Sequence, residues 1–299
     1  MIYGEYQLGK RKLDLTKNKN FKKFFPSTGI KAVYKNDLNE NTFTLSKKVL
    51  TKIKKKINLS NLEGLIFISQ SPISTIPPTT SLIHKEFNLP LNCFTLDLIQ
   101  GCSSFPYAFF LANRYLKEKV FKNVLILSSE SYRDYISISN KSSYPIFSDG
   151  ASAIYMDNKT KIKLLSEVYY SDGKGSRDLY KFNKKLIMNG PAVFFFTKTK
   201  VPIAVKSLLK KSKLNINQID YFYFHQASKL VLNNIKSNLK IPDNKLISNV
   251  QNIGNTVSST IPIMIIDNLK KKKIKKNKNI MIMGFGVGYS LSGGIFKFV

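Results

Sequence analysis

The feature that most constrains this chain is that much of it occurs twice. Residues 57–68 (INLSNLEGLIFI) line up with 214–225 (LNINQIDYFYFH) at an offset of 157, and 122–127 (KNVLIL) line up with 278–283 (KNIMIM) at 156. Between them, 102–106 (CSSFP) matches 258–262 (SSTIP), again at 156. Three matches in the same order at nearly one offset point to two copies of one unit, rather than coincidence among Lys-, Asn- and Ile-rich segments. The 299 residues are therefore expected to divide into halves of 1–156 and 157–299, joined near 157–161.

In each copy a lysine-studded helical stretch precedes a short, almost continuous apolar run, which is how a strand covered on both faces reads. The periodicities predict helices over 43–56, 79–87 and 103–118 in the first half, with strands over 64–69, 93–98 and 123–128. In the second half they predict helices over 199–211, 228–239 and 257–270, with strands over 220–225, 280–284 and 289–298. Elements alternating in this way make an α/β protein with mixed sheets. In such folds sites form beyond the carboxyl ends of strands, so chemistry is expected where the strand ends of the two halves meet.

Composition removes several classes. At 43% hydrophobic the chain is too apolar for disorder. Two Cys exclude a disulfide framework, and a structural zinc site would need both Cys and both His to converge, so no metal is expected. No apolar run approaches the roughly 18–20 residues that span a bilayer. The start, Met1-Ile2-Tyr3-Gly4-Glu5, carries no signal pattern, and a reduced, cytoplasmic protein is expected. The formal charge of +30, from 48 Lys+Arg against 18 Asp+Glu, leaves two readings open: solvated lysine faces from compositional drift, or an acidic partner. Lysines run along 47–56 and 270–276 instead of interleaving with aromatics, and Arg is scarce, so nucleic acid is not expected.

Four places carry chemistry. Cys102 follows an apolar run and precedes a helix, whose N-terminal dipole and free N–H groups favour a thiolate; Cys93, read inside a strand, is a small buried residue. His225 closes the run Tyr221 to Phe224, whereas His84 falls in a helix and reads as structural. Asn255 sits in a glycine-containing turn, where capping alone would explain it. Gly284-Phe285-Gly286-Val287-Gly288 has no following helix and so is not a dinucleotide or phosphate fingerprint, although its backbone N–H groups can line an anion pocket. Each residue alone has an ordinary structural explanation. The repeat places all four at carboxyl ends of duplicated strands, and Cys with His and an amide is a nucleophilic constellation.

On these residues the chain resembles the β-ketoacyl-acyl carrier protein synthase III family of the thiolase-like superfamily. The resemblance rests on Ser27-Thr28-Gly29-Ile30, Gly101-Cys102-Ser103-Ser104-Phe105, Phe147-Ser148-Asp149-Gly150-Ala151, His225-Gln226-Ala227, Gly254-Asn255-Thr256 and Gly284-Phe285-Gly286. It implies two pseudo-duplicated α/β halves in α-β-α-β-α layers, with the nucleophilic Cys in the first half and His and Asn in the second. It implies that Cys102 takes an acyl group from a thioester, and that His225 and Asn255 stabilise the enolate left when malonyl-acyl carrier protein loses its carboxylate. The N–H groups of Cys102 and Val287 would form the oxyanion hole. Phe285 would exclude water, and Gly286, Gly288, Ser228, Ile76 and Thr28 would line the substrate path. No metal or redox cofactor is implied. The implied partners are acyl carrier protein, coenzyme A thioesters and a second copy in a homodimer.

The chain departs from the family at several points. Ser228 replaces the usual Asn after His-Gln-Ala, and Lys23, Phe24 and Phe25 stand where Trp and Arg often hold adenine. Ile76 stands where a bulky aromatic often closes the partner's acyl pocket. These changes keep two alternatives in view: an acyltransferase of the same fold that transfers without decarboxylation, in polysaccharide or secondary-metabolite synthesis, and a basic protein binding nucleic acid or anionic membrane.

Overall fold

The computed structural model describes residues 2–299. β1 (Ile2–Leu8) and β2 (Arg11–Asp14) lead into the one-turn helices α1 (Lys19–Lys22) and α2 (Phe25–Thr28). There follow β3 (Ala32–Lys35), α3 (Thr42–Ile53), β4 (Gly64–Ile68), α4 (Thr79–Phe87), β5 (Phe94–Leu98), α5 (Ser104–Lys117), β6 (Asn123–Glu130) and β7 (Gly150–Asp157). The remainder runs β8 (Ile162–Ser171), β9 (Leu179–Phe182), β10 (Lys185–Met188), α6 (Gly190–Ser212), β11 (Tyr221–Phe224), α7 (Lys229–Leu239), α8 (Val250–Ile253), α9 (Thr260–Lys270), β12 (Ile280–Gly286) and β13 (Ser290–Phe298).

Two sheets dominate. One has the order β1-β7-β6-β4-β5 and the other β8-β13-β12-β11. β4 runs parallel to β6, and β7 antiparallel to both β6 and β1. Likewise β11 runs parallel to β12, and β13 antiparallel to both β12 and β8. The second sheet thus repeats the first, except that the counterpart of β5 shrinks to a single parallel bridge between Phe222 and Leu246.

The two-residue period of the strands builds the layers. Ile66, Ile68, Val124 and Ile126 face inward with Ile280, Ile282 and Phe296 of the other sheet, and between them lie α5 and α9 through Phe105, Phe109, Ile261 and Ile265. The alternate residues Leu65, Phe67, Leu125 and Leu127 face outward onto α3 and α4. Met281, Met283, Phe222 and Phe224 face outward onto α6 and α7. This is the five-layer α-β-α-β-α arrangement, and both faces of each central strand are apolar because both are covered. Burying each such side chain contributes about 1.5–3 kcal/mol.

The structure adjusts some boundaries. α6 starts nine residues ahead of the expected 199, because Asn189 caps it and Pro191 occupies its first turn. Cys93 lies just before β5, with its N–H donated to Pro90 O (2.9 Å), instead of inside the strand. Among the described residues no helix is long and apolar enough to cross a membrane, and no cluster of His, Cys, Asp and Glu forms a metal site.

Candidate active site

Cys102 occupies a 3-10 turn, Gly101–Ser103, that runs directly into α5. Around it lie Tyr132, Ile136, Phe147, Leu179, Leu186 and Val257. Burial pushes its thiol well above the ordinary range, and the carboxylate of Glu130 adds to the rise. The helix N-terminus acts in the opposite sense.

β12 lies hard against this turn, which explains its glycines. A β-carbon at Gly284 would stand 2.5 Å from Cys102 O and 2.8 Å from Ser103 Cα. One at Gly286 would stand 3.1 Å from Cys102 Cβ and 3.4 Å from Sγ. Hydroxyls lock the seam: Ser292 Oγ donates to Ser103 O (2.5 Å), and Ser103 Oγ lies 2.6 Å from Ser290 Oγ.

His225 follows β11 immediately and donates its backbone N–H to Met283 O (2.8 Å), so the parallel pairing with β12 brings it beside Gly284. Its ring meets Phe285 edge to face at 5.5 Å. Burial holds its pKa down to about 3, so the imidazole is neutral near pH 7. Nδ1 lies 2.9 Å from Thr260 Oγ1, and that hydroxyl can also donate to Val257 O (3.0 Å). When it does so, its oxygen accepts Nδ1–H and Nε2 presents a lone pair. Rotated onto Nδ1, it leaves Nε2–H as a donor.

Asn255 is held by its backbone, which donates to Ile146 O (2.9 Å) and accepts from Ser148 N–H (2.8 Å). Its Oδ1 accepts Val257 N–H (2.8 Å), which leaves the Nδ2 hydrogens for a ligand. Val257 itself takes φ +53°, a left-handed conformation that costs a β-branched residue about 1–3 kcal/mol. The bonds to its N–H and its carbonyl over-determine the turn.

The remaining candidates have more local roles. Ser228 caps α7 by accepting Val231 N–H (3.3 Å). Thr28 Oγ1 donates to Phe24 O (2.9 Å) and accepts Ile30 N–H (3.3 Å). Ile76 is 93% exposed, away from the Cys102 cluster. Val287 borders that cluster, and Gly288 takes φ +127° in the turn between β12 and β13. Gln226 is a clamp: its Oε1 accepts from Asn249 N–H (2.9 Å) and Val250 N–H (3.0 Å). His84 Nε2 bonds Pro90 O (3.0 Å), a structural contact. Residues not anticipated are Thr260, Tyr132 and Glu130. Only the placement of Thr260 in the 258–262 match pointed toward it.

Two family descriptions match the chain. That of 3-oxoacyl-[acyl-carrier-protein] synthase III covers residues 96–173, and that of its C-terminal region covers 209–298. The β-ketoacyl-[acyl-carrier-protein] synthase III of Prochlorococcus marinus subsp. pastoris is 30% identical over 226 residues, which span 69% of this chain and 68% of the relative. The chain belongs to the β-ketoacyl-[acyl-carrier-protein] synthase III family. The synthase III of Streptococcus gordonii is 26% identical over 268 residues, 84% of this chain and 82% of the relative. A crystal structure of a 3-oxoacyl-(acyl-carrier-protein) synthase III superposes with a TM-score of 0.92 at 25% identity, covering 100% of this chain and 98% of that one. The synthase III of Aquifex aeolicus, at 23% identity, superposes with a TM-score of 0.90 over 99% of this chain and 98% of its own. The thiolase-like fold of synthase III therefore accounts for the five layers described above.

Proposed function

We propose that the chain is a condensing acyltransferase in which Cys102, His225 and Asn255 act on acyl thioesters. What supports this reading is that β12 packs on the Cys102 turn, pairs with the strand before His225 and contributes Phe285 to the imidazole, while Asn255 Oδ1 accepts the N–H of Val257, which packs in the Cys102 cluster. With the thiol raised and the imidazole lowered by burial, the resting pair is neutral on both sides. His225 Nε2 takes the proton as sulfur attacks the thioester carbonyl, and returns it to the departing thiolate of coenzyme A or carrier. The N–H groups of Cys102 and Val287 receive the oxyanion, a contribution of about 3–4 kcal/mol per donor.

In the second half-reaction a malonyl thioester on acyl carrier protein loses its carboxylate as carbon dioxide. The electron pair passes to the thioester oxygen, where Nε2–H of His225 and Nδ2–H of Asn255 hold it. The carbanion then attacks the acyl carbonyl, and collapse expels the Cys102 thiolate with a 3-oxoacyl product. Rotation of the Thr260 hydroxyl supports both imidazole tautomers that the two half-reactions need.

A homodimer is part of this reading. β5 ends its sheet as an open edge, and Leu91 (99% exposed) and Ile99 (63%), which flank it in the chain, are uncovered apolar residues, as is Ile76 (93%). Acyl carrier protein is expected on lysine-rich surface. Burial lowers the pKa of Lys52 on this surface, against the pull of Glu5 and with smaller contributions from Lys270 and Lys48. Raised salt should accordingly weaken turnover of carrier-bound substrates far more than that of coenzyme A substrates.

Intact mass spectrometry after incubation with acyl-coenzyme A and acyl-carrier panels tests the chemistry. An acyl adduct that disappears in Cys102→Ser supports it, and no adduct from any thioester refutes it. Adding malonyl-carrier must then release 3-oxoacyl product with carbon dioxide; release to an alcohol or amine instead would mark transfer without decarboxylation.

A further inference from the structure

The duplicated seam contains a second, filled copy of the Cys102 position. At the offset of 156, Ser258 corresponds to Cys102 and Gly286 corresponds to Glu130. Gly286 ends β12 and leaves room for the Cys102 side chain. Glu130 ends β6, and its side chain occupies the corresponding space beneath Ser258. Ser258 Oγ donates to the carboxylate at 2.6 Å, Ser71 Oγ at 2.7 Å and Gln70 N–H at 3.1 Å, with Ser69 Oγ at 3.4 Å. Glu130 is wholly buried, and among the described residues no Lys, Arg or His forms an ion pair with it.

The groups facing Glu130 are few. Its titratable neighbours are Cys102, Tyr132 and Tyr135, all of which feel its charge. From the loop after β4 and from the 257–259 turn come only serines and Gln70. On β7 its register partner is Gly150. The adjacent Asp149 is engaged by the N–H groups of Asn36 and Arg133 at 2.9 Å each. From α3, Thr42 reaches Ser71 and Ser131 rather than the carboxylate. Val257, next to Ser258, and Tyr132, two residues beyond Glu130, both pack in one cluster with Cys102, so a buried charge with no cation to neutralise it stands close behind the thiol.

We propose that Glu130 is a positioning residue that sets the reactivity of Cys102 through its charge, so that its ionisation offsets the gain in thiolate as pH rises. The inference rests on the reading of Cys102 as the nucleophile. Below its pKa the carboxyl is neutral and the thiol is at its most acidic. Above it, the new negative charge disfavours the thiolate. Burial places that transition at about 7, within the near-neutral range in which the test below is run. At an effective dielectric of about 20, two unit charges about 10 Å apart couple by an amount that corresponds to roughly tenfold in thiolate population, and closer charges by more.

Alkylation of Cys102 by iodoacetamide, followed by peptide mass spectrometry, tests this without requiring any acyl substrate. Wild type is expected to show a log rate that rises with a slope below one between pH 6 and 8. Glu130→Gln is expected to restore a slope of one and to react roughly tenfold faster at pH 8. An unchanged rate and slope in a folded Glu130→Gln overturns the proposal. If that variant does not fold, Ser258→Ala serves, because losing a donor favours the neutral carboxyl and moves the bend to higher pH; a bend that stays in place also overturns it. A restored slope in an enzyme that never acquires an acyl adduct would instead count against the condensing function while leaving the coupling intact.

Discussion

The close approach of β12 to the nucleophile's turn predicts a graded pair of glycine variants. In Gly284→Ala the new methyl would meet backbone, Cys102 O at 2.5 Å and Ser103 Cα at 2.8 Å, which no rotamer can relieve. Restoring ordinary contact requires the 3-10 turn to retreat by somewhat under ~1 Å, and overpacking of this kind costs about 1–3 kcal/mol. In a chain of this size that lowers Tm by about 1–2 °C per kcal/mol. A displacement near 1 Å at a reacting group costs up to about 100-fold in rate. Gly286→Ala meets only Cys102 Cβ at 3.1 Å and Sγ at 3.4 Å, and a shift of a few tenths of an ångström suffices. Its stability should fall by less than about 1 kcal/mol, while single-turnover acylation slows by about tenfold because the methyl crowds the attacking sulfur. Single-turnover acylation followed by intact mass, beside thermal unfolding of each variant, reads both quantities. If Gly284→Ala acylates within twofold of wild type, or Gly286→Ala loses more stability than Gly284→Ala, the close-approach reasoning fails.

Three further outcomes are expected. Asn255→Ala should still be acylated but should lose about 10²–10³-fold in malonyl decarboxylation, measured as carbon dioxide release, because the amide donates only to the enolate oxygen. The folded state retains the Glu130 proton up to about 7, whereas the unfolded chain releases it near the ordinary 4.5. Stability from that proton is therefore present below 4.5 and lost as pH rises to 7, so Glu130→Gln should gain about 3 kcal/mol relative to wild type across that interval in urea titrations. Leu91→Asp, at a fully exposed position beside the β5 edge, should shift the protein from dimer to monomer in light scattering while leaving its helical circular dichroism unchanged.

What the sequence discloses follows from what chain physics writes locally. Central strands were readable because Leu65, Ile66, Phe67 and Ile68 are apolar on both faces, which only a doubly covered strand requires. The sequence shows only the later part of α6 because its first nine residues carry no clear polar face, and the signals that begin it, Asn189 and Pro191, are short-range. The edge strands β1 and β8 carry a pattern diluted by partial exposure to solvent, whereas β7, internal and buried, opens with the small residues Gly150-Ala151-Ser152-Ala153, which make no long apolar run. For the site, the positions of Cys102, His225 and Asn255 at duplicated strand ends, joined to the family motifs, were legible, whereas their supports were not. Thr260 reaches His225 from 35 positions away and Ser258 reaches Glu130 from 128, and apart from the place of both in the 258–262 match no local signal encodes these partners. The repeat nevertheless contains the missing rule. Wherever one half carries a reactive side chain at a strand end, the same position in the other half must either leave space or fill it, and Gly286 beside Cys102 with Glu130 beside Ser258 are the two solutions in one chain. The differences between aligned halves, more than their similarities, therefore mark which copy is kept open for substrate and which is closed to tune it.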